Sequence, residues 1–343
     1  MMKLANNDIL FHRGSLLDAE GMIFDSYSLE QDAEIRGNYY AMSREIGVAN
    51  ASQWPFSVDY ASQHRLHIIN GMGVSLGDSI IGLTAIRALR YLNPQLATTL
   101  YRPAKAPDYV EQLYRLADSI VTQCRPLPFS LQAIDARDVR IDIGNHVFWP
   151  DFSTLPMIDF FLTALGVDPK EIPDEWKRNT WLQELALPCL PSPWNNRDYV
   201  LFCPQASTPI RTIPAEVYAH VIEKLWQQYA LPVLGFGDVN HAQYIDIRNL
   251  SPDTGHFLAW IKHASAMLTC DSAAVHAAAG FDIPTQAYFT SIEPELRVRD
   301  YPHCQPVFVA VPELAHLHSS AQASHIELVK LAYQRVINGN LTP

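Results

Sequence analysis

Apolar residues in this chain gather in short runs, each followed by a polar or glycine-rich turn and then by a longer stretch with helical spacing. The first clear run is Leu66-His67-Ile68-Ile69-Asn70, which enters the turn Gly71-Met72-Gly73-Val74-Ser75-Leu76-Gly77. From Ser79 to about Leu92 apolar positions surround a face carrying Arg87 and Arg90, which predicts a helix ended by Pro94. A strand at 97–101, a helix over 108–118, a strand at 139–143 and a helix over 157–165, stopped by Gly166, follow. The later part alternates more plainly. Strands are predicted at 199–203, 231–236, 266–270, 284–289 and 306–311, and helices at 214–228, 256–264, 272–279 and 323–337. Strand–helix alternation of this kind implies parallel sheets covered on both faces. The expected class is α/β, with two Rossmann-like domains whose parallel sheets face a shared interdomain cleft.

The proline-rich run Pro188-Cys189-Leu190-Pro191-Ser192-Pro193 restricts the chain to extended conformations and is read as the linker. It separates a first domain over 65–190 from a second over 195–321. Residues 1–64 are mixed and polar with scattered aromatics, and are expected to form a partly ordered extension with no assignable chemistry. Residues 322–343 carry the last helix, expected to pack back across the linker onto the first domain.

Composition narrows the function. At 343 residues each domain is able to bury its own core, and 48% apolar with 18% charged residues is ordinary for a globular chain. A net charge of -11 argues against a general nucleic-acid binder, although a few local arginines could still hold a small anion. The five cysteines are dispersed with no CxxC pair, as expected of reduced thiols in a cytosolic protein. No apolar run approaches the ~20 residues of a membrane span, and the start lacks a signal peptide's apolar region. The expectation is a soluble cytoplasmic protein, at most touching the inner membrane from its cytoplasmic face. The thirteen histidines show no H-x-x-x-H or HExxH spacing and the acids no ligand cluster, so no metal is expected. No G-x-S-x-G elbow is present.

Two acidic motifs stand where an apolar strand gives way to a helix: Leu76-Gly77-Asp78, and Cys270-Asp271-Ser272-Ala273 with His276 one turn further on. In an open α/β sheet such junctions lie at the carboxyl edge, where ligands bind, and a helix start offers N–H groups to an anion. Each aspartate could equally be a plain N-cap. Gly71, Gly73 and Gly77 would admit a ligand close to the backbone, but their spacing is not the dinucleotide fingerprint. A third segment, Cys203 to Pro214, carries Ser207, Thr208 and Arg211, an arginine able to fork two hydrogen bonds to a phosphate.

Together these segments resemble glycosyltransferase family 9, the ADP-heptose:lipopolysaccharide heptosyltransferases. The family's Gly-Asp turn and "LxxxPxLRAL" helix are similar to Gly77-Asp78 through Arg87-Ala88-Leu89. Its "vdxxLxxLGv" helix resembles Ile158 to Val167, and its phosphate loop, a Ser/Thr pair then Lys-x-Trp-Pro, resembles Ser207-Thr208 through Arg211-Thr212-Ile213-Pro214. Its "DSGxxHxAAAxGxP" signature resembles Asp271 to Pro284, and its "lFGptdP" is echoed by Tyr288 to Pro294. The likeness covers about residues 66–335. Arg211 stands where the family has lysine, and Ala273 and Thr290 where it has glycine.

The resemblance implies a GT-B fold and an inverting, metal-independent transfer with no cofactor beyond the nucleotide-sugar co-substrate. Asp78 would be the general base. Ser207, Thr208, Arg211, Asp271, Ser272, Ala273 and His276 would serve the donor sugar and diphosphate. Gly237 and Asp238 would meet the nucleoside, and Gly77, Arg87 and Arg102 a glycan or glycolipid acceptor. Two other readings stay open at this point: a GT-B sugar-nucleotide epimerase, and a non-catalytic nucleotide- or sugar-binding protein, for which Ala273 is the argument.

Overall fold

The computed structural model describes residues 4–32, 37–42 and 46–338. The first three residues of the start read for a signal peptide, and 339–343 of the segment read as the last helix and tail, lie outside them. The chain divides into two compact units, Met1–Lys177 and Arg178–Pro343.

In the first unit α1 (Asn6–Ile9), β1 (Leu16–Leu17), β2 (Met22–Phe24), α2 (Ser26–Glu30) and β3 (Tyr40–Ala41) precede the expected elements. These are β4 (Arg65–Ile69), α3 (Leu76–Leu92), β5 (Ala97–Pro103), α4 (Asp108–Leu116), β8 (Val139–Asp142) and α5 (Met157–Ala164), with two unexpected strands, β6 (Gln123–Leu127) and β7 (Phe129–Ser130), between α4 and β8. A parallel sheet runs in the order β6-β5-β4-β8. Leu66, Ile68, Ile69, Leu100 and Ile141 are fully buried in it, and α3 covers it with Ile80, Leu83 and Ile86. Such nearly continuous apolar strands are what a sheet covered on both faces requires.

Residues 1–64 are not a loose extension where they are described. They supply the antiparallel sheet β3-β1-β2-β7, whose Leu17 and Ile23, with Met42 and Val48, pack on Ile69, Tyr101 and Leu127. Those three residues lie at the carboxyl ends of β4, β5 and β6, so the small sheet roofs one side of that edge. Its strands of two or three residues are too short for a period to show, and β7 comes from far along the chain.

The second unit holds β9 (Val200–Cys203), α6 (Tyr218–Tyr229), β10 (Val233–Gly235), β11 (Tyr244–Asp246), α7 (Thr254–Lys262) and β12 (Ala266–Cys270). It continues with α8 (Ala273–Gly280), β13 (Thr285–Phe289), α9 (Glu295–Val298), β14 (Cys304–Phe308) and α10 (Ala323–Asn338). All its strands are parallel, in the order β11-β10-β9-β12-β13-β14. Counted within the unit, that is the doubly wound order of a Rossmann fold, with its switch point between β9 and β12.

Two boundary expectations are corrected here. Trp181, Leu182 and Leu185 are already buried in the second unit ahead of the prolines, and Leu190 and Trp194 are buried among and just after them. The chain therefore changes unit at Lys177, and the 188–193 run is part of the second unit's surface layer. The last helix is counted with the second unit and packs into that unit's own core. Val329 and Tyr333 of α10 are buried in the same core as Phe202 and Leu268, and Lys330 pairs with Glu216 at 2.5 Å. An amphipathic helix packs where an apolar face is nearest, and α6 with its preceding turn offers one. Among the described residues no helix is long and apolar enough to cross a membrane.

Candidate functional site

The switch point of the second sheet is built from β9 and β12, which lie side by side and end in Cys203 and Cys270. From the first leaves the loop 204–214, and from the second Asp271 and α8. Ser272 is the N-cap of α8, with extended backbone and its Oγ accepting from the Ala274 N–H at 3.4 Å. Ala274, Ala277 and Ala278 are buried, so small side chains let this helix sit close on the sheet. Ala273 opens it as the first helical residue.

Asp271 is 2% exposed and is held between two guanidinium groups. Arg211 Nη1 lies 3.2 Å from its Oδ2, and Arg297 Nε 4.0 Å from its Oδ1. Burial pushes the Asp271 carboxyl up, but the charges of Arg211, Arg297 and His276 and the Arg211 hydrogen bond together hold it below the usual carboxylate range. Arg211 Nη2 also donates to Ser207 Oγ at 2.9 Å, so Ser207, Arg211 and Asp271 form one connected group. Arg297, 5% exposed, donates to the Leu296 carbonyl and lies 3.2 Å from His318 Nδ1. Sequence reading missed Arg297. The available signal was physical: a carboxylate buried at a sheet edge calls for compensating charge, and Arg297 follows the next strand along.

Thr208 differs from the expectation. It is buried, its Oγ1 accepts from the Ser320 N–H at 3.1 Å and donates to the Ser320 carbonyl at 3.3 Å, so it ties down the 319–320 segment instead of facing a ligand. His276 is buried, with Nδ1 2.9 Å from Tyr301 Oη, and its carbonyl accepts from Asn179 Nδ2 at 3.0 Å. Asn179 also bonds the Tyr301 hydroxyl, which closes a polar triangle behind α8. Gly237 and Asp238 follow β10 on the other side of β9, where Asp238 is exposed and pairs with Arg248 at 2.9 Å. A Cβ built on Gly237 would meet nothing within 4 Å. The structure thus joins Ser207, Arg211, Asp271 and the α8 N-terminus, and leaves 237–238 outside that group.

The first sheet has its own switch point, between β4 and β8, where Ile69 is paired with Asp142. After Ile69 the chain makes the glycine turn and enters α3. Ser75, not Asp78, is the N-cap: its Oγ accepts from the Asp78 N–H at 3.2 Å. Asp78 is the third helical residue and Gly77 the second. The Asp78 side chain is 17% exposed, and its Oδ2 lies 3.6 Å from His146 Nε2. Gly73 has φ +79°, and a Cβ there would come within 2.7 Å of His146 Cε1 and 3.2 Å of Asp78 Oδ2. Only glycine lets the turn pass so close to both.

His146 was also missed. It sits in the turn after β8, so the strand-end rule applied to Asp78 and Asp271 would have reached it had the rule been extended to that strand. Asp142, fully buried, fixes the turn by accepting from Ser15 N–H at 2.7 Å, Ser15 Oγ at 2.8 Å and Gly144 N–H at 2.9 Å. Burial pushes its carboxyl up, and these donors oppose the shift.

Of the acceptor-side arginines, Arg102 is buried and Arg87 only partly so. Arg102 is 2% exposed, donates from Nε to Glu111 at 2.8 Å and from Nη1 to the Gly71 and Gly73 carbonyls at 3.0 and 3.1 Å, and stacks over the Tyr114 ring. It braces the glycine turn from behind, because carbonyls bent inward by that turn need a buried donor. Arg87 lies over Trp176, 5.3 Å from the ring centroid, and Arg90 donates to the carbonyls of Ser119 and Ile120.

Comparison with known proteins agrees with this architecture. The family model for Glycosyltransferase family 9 (heptosyltransferase) matches residues 155–303, a range that includes Arg211, Asp271, His276 and Arg297 but not Asp78. No curated protein matches the chain. Among solved structures, Escherichia coli ADP-heptose LPS heptosyltransferase II is similar with a TM-score of 0.50 at 15% identity, covering 79% of this chain and 99% of that one. A family 9 glycosyl transferase from Veillonella parvula DSM 2008 is similar with a TM-score of 0.50 at 12% identity, covering 83% and 99%. At such identities the likeness is one of fold, two units that each carry a parallel sheet, as in GT-B proteins. Residues 155–303 thus match glycosyltransferase family 9 (heptosyltransferase), and the fold is that of GT-B proteins.

Proposed function

We propose that the protein moves a heptose-like sugar from a nucleoside-diphosphate donor, ADP-heptose, to a lipopolysaccharide or other glycan acceptor, with inversion and without a metal. The observation that carries the donor half is the group Ser207–Arg211–Asp271–Arg297 at the switch point of the second sheet. Two guanidiniums around one carboxylate leave a net positive charge beside the N-terminus of α8. A departing diphosphate is the kind of anion that such a place favours. The similar E. coli protein is named for ADP-heptose, which supports that donor as the first to try.

In this reading Asp78 removes the proton from an acceptor hydroxyl as that oxygen forms its bond to the anomeric carbon. The bond from that carbon to the β-phosphate oxygen breaks, and its electron pair leaves with the diphosphate. Asp78 suits the part because its carboxylate is partly exposed in the first turn of α3, whose N-cap is Ser75. Arg211 and the α8 N-terminus take up the charge that develops on the leaving group. The Asp271 carboxylate holds Arg211 in place, a role supported by their contact more directly than the sugar-hydroxyl role implied by the family resemblance. The protein would work in the cytoplasm, touching the inner membrane where its acceptor is a glycolipid.

The test is release of nucleoside diphosphate from a panel of ADP-, GDP- and UDP-sugars, ADP-heptose included, with truncated lipopolysaccharide as acceptor. ADP-heptose should turn over fastest. Tight binding of a donor with no turnover of any would overturn the transferase and favour a non-catalytic binder, for which Ala273 at the first position of α8 remains the argument.

A further inference from the structure

The turn after β8 delivers a buried imidazole to the carboxylate proposed as the base. His146 is 2% exposed and wedged among the rings of Phe152, Phe160 and Phe161, with centroids 4.9, 5.9 and 5.2 Å away. Its Nε2 is buried and has no hydrogen-bond partner among the described residues, while Asp78 Oδ2 stands 3.6 Å from it. A buried N–H donor left without an acceptor is costly, and the carboxylate is just beyond bonding distance. Catalytic hydrogen bonds are often this long before ligands bind and shorten in the working complex.

The imidazole has little freedom to go elsewhere. Asn145, at φ 56°, donates from Nδ2 to the Leu10 and His12 carbonyls, and Trp149 Nε1 donates to the Gly144 carbonyl. Asp142 clamps the turn at Gly144 from within, and Gly73 lies close against the ring. The segment from residues 10–15 is thus part of what aims His146.

We propose that His146 is a positioning residue for Asp78. In the tautomer with its proton on Nε2 it donates to Oδ2, fixes the plane of the carboxylate and turns the other oxygen toward the acceptor hydroxyl. This rests on Asp78 being the base, and the experiment separates the two.

The first measurement needs no activity. A long-range 1H–15N spectrum of the full-length protein reports the His146 tautomer, and the Nε2 proton is expected, with the Nε2 resonance moving in Asp78→Asn. A proton on Nδ1, or an Nε2 resonance indifferent to Asp78→Asn, would overturn the proposal. The second is a double-mutant cycle on ADP release from ADP-heptose with truncated lipopolysaccharide. His146→Phe should lower kcat about tenfold with the donor KM unchanged, and His146→Gln, which keeps a donor, should recover part of the loss. In the Asp78→Asn background His146→Phe should cost nothing more. Equal losses in both backgrounds would make His146 a packing residue only. Full activity in Asp78→Asn alone would instead remove the base.

Discussion

Arg211 and Asp271 leave neighbouring strands of the second sheet and meet at 3.2 Å, the arginine 18% and the aspartate 3% exposed at the side chain. The pair is asymmetric in a useful way. Its buried member is the anion, compensated from both sides, and its more accessible member is the cation, which also reaches Ser207. An incoming diphosphate would therefore meet a guanidinium whose position is already set.

If Arg211 is the diphosphate contact, Arg211→Ala should weaken ADP binding at least about tenfold, since a charged hydrogen bond is worth ~1.5–3 kcal/mol. Arg211→Lys should fall between, keeping charge but losing the fork. Titration calorimetry checks both, and an unchanged dissociation constant in Arg211→Ala would remove this residue from the site.

Arg297 makes a prediction about stability. The Asp271 carboxyl is held below its ordinary range, so its ionisation supports folding above the unfolded value and that support is lost as pH falls through the folded one. Arg297→Met removes one compensating cation from a buried carboxylate, at a cost of up to about 3 kcal/mol. The gap in melting temperature between wild type and variant should be widest near neutral pH. It should shrink as Asp271 becomes protonated in acid. A gap independent of pH would mean that Arg297 acts through packing alone.

What the sequence made legible follows from what each element needed from distant parts of the chain. Buried parallel strands such as 66–69, 200–203 and 266–270 announce themselves as apolar runs, because a strand in a sheet covered on both faces needs apolar side chains at successive positions. The edge strand β6 is exposed along four of its five residues and contains Pro126, so no run marks it. Asp271 and Arg211 could be picked singly from strand ends. Arg297 and His146 also follow strand ends, but their meaning arises only when sheet order makes β13 the neighbour of β12 and β8 the neighbour of β4. Arg102 shows the opposite error. A lone cation reads as surface charge until the turn folds two carbonyls onto it.

The glycine turn can be tested at the helix that covers it. A Cβ on Gly82 would come 2.4 Å from Met72 Cβ, too close for the methionine's flexible end to relieve. Gly82→Ala should thus destabilise by about 1–3 kcal/mol despite alanine's better helix propensity. Met72→Gly, which removes that Cβ, should partly restore Gly82→Ala, measured by urea unfolding. An additive pair of losses would place the strain elsewhere.

The last prediction separates the two possible jobs of Asp78. A helix start needs an acceptor for its free N–H groups, and Ser75 Oγ already supplies one to the Asp78 N–H at 3.2 Å. Ser75→Ala should therefore cost about 1 kcal/mol of stability as a lost cap. Asp78→Ala leaves the Ser75 cap in place and removes a favourable charge at the helix N-terminus worth ~0.3–1 kcal/mol. If Asp78 takes the acceptor proton, its removal should instead lower kcat by about 10²–10⁴-fold while the ADP dissociation constant stays the same. Donor binding is untouched because the proposed donor contacts belong to the second unit. Melting curves, calorimetry with ADP and turnover of ADP-heptose on both variants give the full pattern. Should Asp78→Ala keep its turnover and lose only stability, Asp78 would be a structural residue and the base would have to be sought elsewhere at the edge of the first sheet.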